Sequence, residues 1–195
     1  MTPDHTELWF LPLGGCGEIG MNLNLFGHDG RWLMVDCGVT FEAGAHGNRV
    51  QMPDPDFIAK HANNLVGLIA THAHQDHIGA IHLLWQRFRC PIYATRFTAH
   101  VLAAKLRREG CDATVNVVAQ DARMQLGPFA VQWMPITHST AETSALMIET
   151  SVGSVLHTAD WKIDHQPVVG RAFADLCWRE LGAKTVDAVV CDSTN

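Results

Sequence analysis

The chain has no excess of positive charge: 14 Lys and Arg stand against 20 Asp and Glu, a formal net charge of −6. Non-specific binding of nucleic acid through the whole surface is thereby disfavoured, because phosphate contacts need local positive charge. An anionic substrate would have to be drawn by a local feature such as a bound metal. There is no CxxC pair either. Cys16, Cys37, Cys90, Cys111, Cys177 and Cys191 are scattered, mostly inside apolar segments, which predicts reduced core thiols in a cytoplasmic protein. No uninterrupted apolar stretch is long enough to span a bilayer, and Met1 to Glu7 lacks the basic start and apolar core of a signal peptide, so neither export nor a membrane is expected. Internal repeats, coiled-coil heptads and low-complexity tracts are absent too. What remains is a 195-residue chain, 47% hydrophobic and 17% charged, sufficient to bury the core of one domain.

Its most informative stretch is His72-Ala73-His74-Gln75-Asp76-His77, which sets three imidazoles and a carboxylate within about one turn of backbone. Imidazole nitrogen and carboxylate oxygen are the ligands that borderline divalent ions such as zinc prefer, and ligands in so short a loop converge without a large ordering penalty. A solvated histidine-rich loop is the plainer reading. Against it, Val66 to Ala70 reads as a buried strand and His77 to Phe88 as a helix, so the cluster lies at a strand-to-helix switch, where α/β proteins place ligands.

Around this cluster, Leu8 to Leu13 is predicted as a strand running into the glycine loop Gly14 to Asn22, where the backbone turns tightly or approaches something closely. Asn22 to Gly27 and Arg31 to Asp36 flank His28-Asp29-Gly30, which predicts a hairpin with Asp36 emerging at its end. Phe41 to Asp56 reads as a long loop. Further on, Ile92 to Ala94 is predicted as a strand, and Thr98 to Glu109 as a helix closed by Gly110. Strands follow at Ala113 to Val118, Phe129 to Pro135, Ser144 to Thr150 and Ser154 to Thr158, then a helix at Arg171 to Leu181 and a strand at Ala188 to Cys191.

A metal held only by the first cluster would be poorly enclosed. His138 and Asp160 each follow a predicted strand and are suited to be a further histidine ligand and a carboxylate bridging two ions. Asp36, the His72-to-His77 cluster, His138 and Asp160, in that order at strand ends, resemble the successive motifs of the metallo-β-lactamase superfamily. Within it, Pro12 to Asn22, the Asp76-His77-Ile78-Gly79 continuation and the closing Cys191-Asp192-Ser193-Thr194-Asn195 resemble the ribonuclease J branch of the β-CASP nucleases.

The resemblance covers essentially the whole chain and implies an α/β protein with the αββα four-layer sandwich, here its N-terminal portion over residues 1–195, with the β-CASP domain and C-terminal region absent. It implies a zinc-dependent RNA phosphodiester hydrolase, a 5′ exoribonuclease and endoribonuclease acting on single-stranded RNA; Mn2+ or Mg2+ are alternative ions, and self-association is common in the family. By it, His72, His74 and His138 hold one zinc, and Asp76, His77 and the bridging Asp160 a second. Asp36 orients the cluster loop, Asp76 orients or deprotonates the attacking water, and Asp192 matches the first additional β-CASP motif. The general acid would be a later histidine that this chain lacks, so full catalysis from these residues alone is not expected. Gln75 stands where Glu is common, Trp161 where Phe is common, and Ser139-Thr140-Ala141-Glu142 where a Ser-Ile-Pro-Asp stretch is usual.

Two alternatives stay open: a hydrolase of small thioesters, lactones or lactams, which use the same ligand cluster, and a non-catalytic metal-binding fragment. Other polar residues take plainer readings. His82 and His100 are assigned to helix surface or packing, the tryptophans to the core, and His157 to a supporting position near Asp160. Lys105, Arg107 and Arg108 read equally as an RNA-contacting patch or as cations at the negative pole of a helix.

Overall fold

The computed structural model describes residues 2–44, 47–173, 175–182 and 185–193. The elements are β1 (Trp9–Gly14), β2 (Leu23–His28), β3 (Arg31–Val35), β4 (Thr40–Gly44), β5 (Gly47–Gln51), α1 (Asp56–Lys60), β6 (Leu65–Ala70), α2 (Gln75–Ile78), α3 (Ile81–Leu84), β7 (Ile92–Thr95), α4 (Arg96–Arg108), β8 (Val115–Val118), β9 (Arg123–Leu126), β10 (Phe129–Pro135), β11 (Ser144–Glu149), β12 (Ser154–His157), α5 (Asp175–Gly182) and β13 (Ala188–Val190). They form a six-stranded sheet ordered β1-β2-β3-β6-β7-β8 and a five-stranded sheet ordered β13-β12-β11-β10-β9. Both are mixed. The first is antiparallel up to β3 and parallel beyond it; the second is antiparallel except for the parallel β12–β13 pair.

Strand alternation sorts the apolar side chains into layers. On β3, Trp32 and Met34 point into a core shared with Ile58, Ile81, Leu84, Leu102 and Leu106, which is the helical layer. Leu33 and Val35, on the opposite face, join Phe129, Val131, Trp133, Leu146 and Ile148 between the sheets. The far face of the second sheet, Met134, Ala145, Met147 and Leu156, is covered by Phe173, Trp178 and Leu181. Helix, sheet, sheet and helix thus stack as the expected αββα sandwich, and a central strand such as β3 is apolar on both faces because both are covered. The β2–β3 hairpin turns at Asp29 (φ 47°) and Gly30 (φ 70°), the left-handed pair that a tight two-residue connection needs.

Three expectations are corrected. Residues 41–56 are not one long loop: β4 and β5 form a separate two-stranded hairpin. Its cross-strand neighbours Phe41 and Val50 are both exposed, so the segment lacks the buried alternation by which a strand is recognised. The helix expected over 77–88 is broken into α2, α3 and a 3-10 turn at Trp85–Arg87, because the amide of Ala80 donates to Cys37 O across the fold (3.0 Å) instead of continuing the helix. Finally, β9 lies where no strand was expected; it is short and half polar, and closes the edge of the second sheet. Of the tryptophans, Trp32 and Trp133 are fully buried, whereas Trp161 is exposed beside the site. Thr194 and Asn195 lie outside the described residues.

Candidate metal centre

The ends of β3, β6, β10 and β12 meet at one edge between the sheets, and each delivers a polar residue there. Asp36 leaves β3 with φ 63°, a left-handed conformation that turns its carboxylate into the fold, where it is fully buried. It accepts hydrogen bonds from the Thr71 amide (2.8 Å), the Thr71 hydroxyl and His77 Nδ1–H (2.8 Å). A hydroxyl has one proton. Since Thr71 gives its proton to Asp36, its oxygen accepts from His72 Nδ1–H (3.0 Å). Both His72 and His77 are therefore protonated on Nδ1, and their Nε2 lone pairs face the cleft.

Those lone pairs converge. His72 Nε2 lies 3.1 Å from His74 Nδ1, which lies 3.2 Å from His138 Nε2, and His138 Nε2 is 3.4 Å from Asp160 Oδ2. Tetrahedral ligands at zinc–nitrogen distances stand about 3.3 Å apart, so this spacing suits one ion. The other oxygen of Asp160 is 3.2 Å from His77 Nε2, itself 3.5 Å from Asp76 Oδ2. The structure thus brings together the two predicted sets, His72/His74/His138/Asp160 and Asp76/His77/Asp160, with the oxygens of Asp160 divided between them. The donors fit a pair of divalent ions.

Electrostatics agree with this geometry. Burial, with His77 close by, pushes His72 far below the ordinary histidine range and keeps it neutral, as a ligand must be. Burial alone would also lower His77, but the charge of Asp36 and the hydrogen bonds to Asp160, Asp36 and Asp76 outweigh it and raise its pKa well above 6.5. Without an ion the pocket thus favours a second proton, on His77 Nε2, and an ion held there would take the place of that proton.

Backbone hydrogen bonds hold the cluster in place. The amides of Asn22, Cys37 and Val39 donate to the carbonyls of Asp76, His77 and Gln75, and Gly38 donates back to Asn22. Asn22 adds its side-chain amide to the Asp76 carbonyl (3.2 Å) and lies 3.2 Å from His77 Nε2. The glycine loop therefore closes on the site, lining with Asp76, His77, Asp160 and Asp192 a cleft of about 770 Å³. The backbone of Asp192 reaches it through its amide, which donates to Thr158 Oγ1 (3.2 Å).

Some contributors were not foreseen. Thr71 fixes a tautomer, Ser139 Oγ lies 3.4 Å from both His74 and His138, and Asn22 braces Asp76; only the adjacency of Thr71 and Ser139 to the cluster histidines hinted at a role. His157 is buried and accepts from the Ala159 amide (3.2 Å), with Ala159 next to Asp160 in the chain. Two residues of the basic patch are engaged within the chain: Lys105 donates to Gln75 and Gly79, and Arg108 pairs with Glu109.

A family profile described as the metallo-beta-lactamase superfamily matches residues 20–165. The chain belongs to that superfamily. Among metallo-β-lactamase-fold structures it is similar to YhfI from Bacillus subtilis (22% identity, TM-score 0.55, 77% of this chain and 61% of that one). It is also similar to Zn(2+)-bound PqqB from Methylobacterium extorquens (13% identity, TM-score 0.61, 92% and 71%). Among curated proteins it is 45% identical to a ribonuclease J of Sinorhizobium meliloti over 97% of this chain. Identity is 38% to that of Corynebacterium glutamicum and 34% to that of Helicobacter pylori, each over 94% of this chain. The chain spans 35%, 26% and 27% of the length of these three relatives. No described helix is long and apolar enough to cross a membrane.

Proposed function

We propose that this site serves a zinc-dependent phosphodiester hydrolase of the ribonuclease J type, acting on single-stranded RNA by 5′ exonucleolytic and endonucleolytic cleavage. The observation that carries this reading is the similarity to ribonucleases J along nearly all of the chain. The site supports it: His72, His74 and His138 with Asp160 would hold one ion, and Asp76 and His77 with Asp160 the other. Ions there would make water acidic enough to react near neutral pH and offset charge on a phosphodiester oxygen. That supplies the local attraction for RNA that an acidic chain otherwise lacks.

The chain's own residues divide the remaining work. Asp36 and Thr71 hold the imidazoles in the tautomers that leave Nε2 open. Asp76, about a third exposed (36%) at the cleft, is placed to orient water and accept its proton, and Asn22 fixes the backbone that carries it. The glycine loop and Asp192 form the walls along which a strand of RNA would lie.

The test is cleavage of a 5′-monophosphorylated single-stranded RNA with added zinc or manganese, beside His74→Ala. Cleavage by the wild-type chain, abolished in the variant, is expected. Hydrolysis of a thioester, lactone or lactam with RNA left intact would contradict the proposal.

A further inference from the structure

The N-terminus of α4 receives no side-chain cap from its own N-cap residue, Thr95. The Thr95 hydroxyl instead donates to the carbonyl of Glu142 (3.1 Å), and the Glu142 carboxylate accepts the amide of Phe97 in the first turn of the helix (2.7 Å). An exposed amide at a helix start is ordinarily capped by a neighbour in sequence; here the cap comes from 45 residues away. Glu142 also has φ 58°, a left-handed conformation unfavourable for a residue with a side chain.

Glu142 lies in the loop that carries His138. That loop is closed at its base by the Ile136 amide on Thr143 O (3.1 Å) and is joined to the histidine cluster by the Ser144 amide on Thr71 O (3.2 Å). Beside that base, the loop meets α4 through the Glu142 pair. The same helix reaches the other ligand segment through Lys105, whose ammonium donates to the Gly79 carbonyl (3.2 Å) just past α2. Helix α4 thus touches both ligand-bearing segments, the His138 loop at its start and the Asp76/His77 helix near its end.

We propose that Glu142 is a positioning residue for His138: it fastens the His138 loop to α4, and α4 fixes how far that loop stands from the cluster on α2. This rests on the metal-site reading above. It assigns to Glu142 an effect on ion affinity without contact with the ion, as residues supporting metal ligands exert.

The experiment is zinc affinity of the chain, measured by competition with a chromogenic chelator, for wild type, Glu142→Ala, Glu142→Gln, His138→Ala and the core variant Val155→Ala. Urea unfolding of each metal-free form is recorded beside it. Glu142→Ala is expected to bind its tightest zinc about 10- to 100-fold more weakly. Glu142→Gln, which keeps an acceptor for the Phe97 amide, retains most of the affinity, and Val155→Ala, destabilised away from the site, retains all of it. The proposal fails if Glu142→Ala binds as wild type while His138→Ala does not, if Val155→Ala weakens binding as much as Glu142→Ala, or if Glu142→Gln is as weak as Glu142→Ala. Equal binding by wild type and His138→Ala would instead remove the metal-site reading, and this proposal with it.

Discussion

Asp36 accepts from Thr71 and from His77 Nδ1–H while fully buried, and that second bond keeps the Nε2 lone pair of His77 open. Replacing one carboxylate oxygen by an amide nitrogen sets donor against donor at His77 and favours the other tautomer, which closes that lone pair. Asp36→Asn is therefore expected to weaken the ion at Asp76/His77/Asp160 about 10- to 100-fold and to cost about 1–3 kcal/mol of stability. Zinc titration with urea unfolding checks both; unchanged binding at both ions would refute the tautomer account. The residues that converge on the candidate site were legible because chemistry and spacing advertise them: His72, His74, Asp76 and His77 crowd one loop, and His138 and Asp160 each end a strand. The residues that set their orientation were not, since the value of Thr71 is a single proton given in one direction. Nor does sequence reveal that Met21, Asp36, Glu142 and Ala159, all at or beside the site, take positive φ; ordinary residue types are held there by the surrounding fold.

Among the elements, the segment after β3 and the start of α2 pack backbone to backbone. A Cβ built on Gly38 would lie 1.6 Å from the Asp76 carbonyl oxygen, a clash between two main chains that no side-chain rotation relieves. Gly38→Ala is expected to lower stability by at least about 2 kcal/mol and to abolish tight zinc binding; wild-type urea midpoint and affinity would disprove this. The strands flanking the site were legible because their apolar runs end at polar ligands, and β10 spans the predicted residues 129–135. The broken helix after the cluster was not, since the break comes from a distant acceptor, Cys37 O, and apolar periodicity continues through it. The β4–β5 hairpin escaped for the opposite reason, as its glycines and the prolines just after it speak more loudly than its exposed pair Phe41 and Val50.

For the molecule as a whole, ions that bind only the folded chain must stabilise it. Zinc at 100 times its dissociation constant is expected to add about 2.7 kcal/mol and to raise Tm by roughly 5–10 °C, reversibly with a chelator; a Tm indifferent to zinc would tell against a built site. Acid should act through His157, whose burial pushes its pKa down to about 4. Below its unfolded pKa, about 6.5, only the unfolded chain takes up this proton, so the contribution is complete above that pH and falls by about 3 kcal/mol as pH drops to 4. In metal-free protein, His157→Gln should flatten the stability–pH slope in that window, and an unaltered slope would assign it to other groups. The layered architecture was expected from the family resemblance; strand alternation alone leaves a degeneracy in β3. Its two faces, Trp32 with Met34 and Leu33 with Val35, are both apolar, so sliding the strand by one residue would still bury grease on either side. Such a slip would, however, carry the carboxylate of Asp36 away from Thr71 and His77 and strand it among apolar neighbours, at a cost of several kcal/mol. The acidic residue that steadies the histidine cluster is thus also a pin that tells the folding chain which of two near-equivalent alignments to adopt.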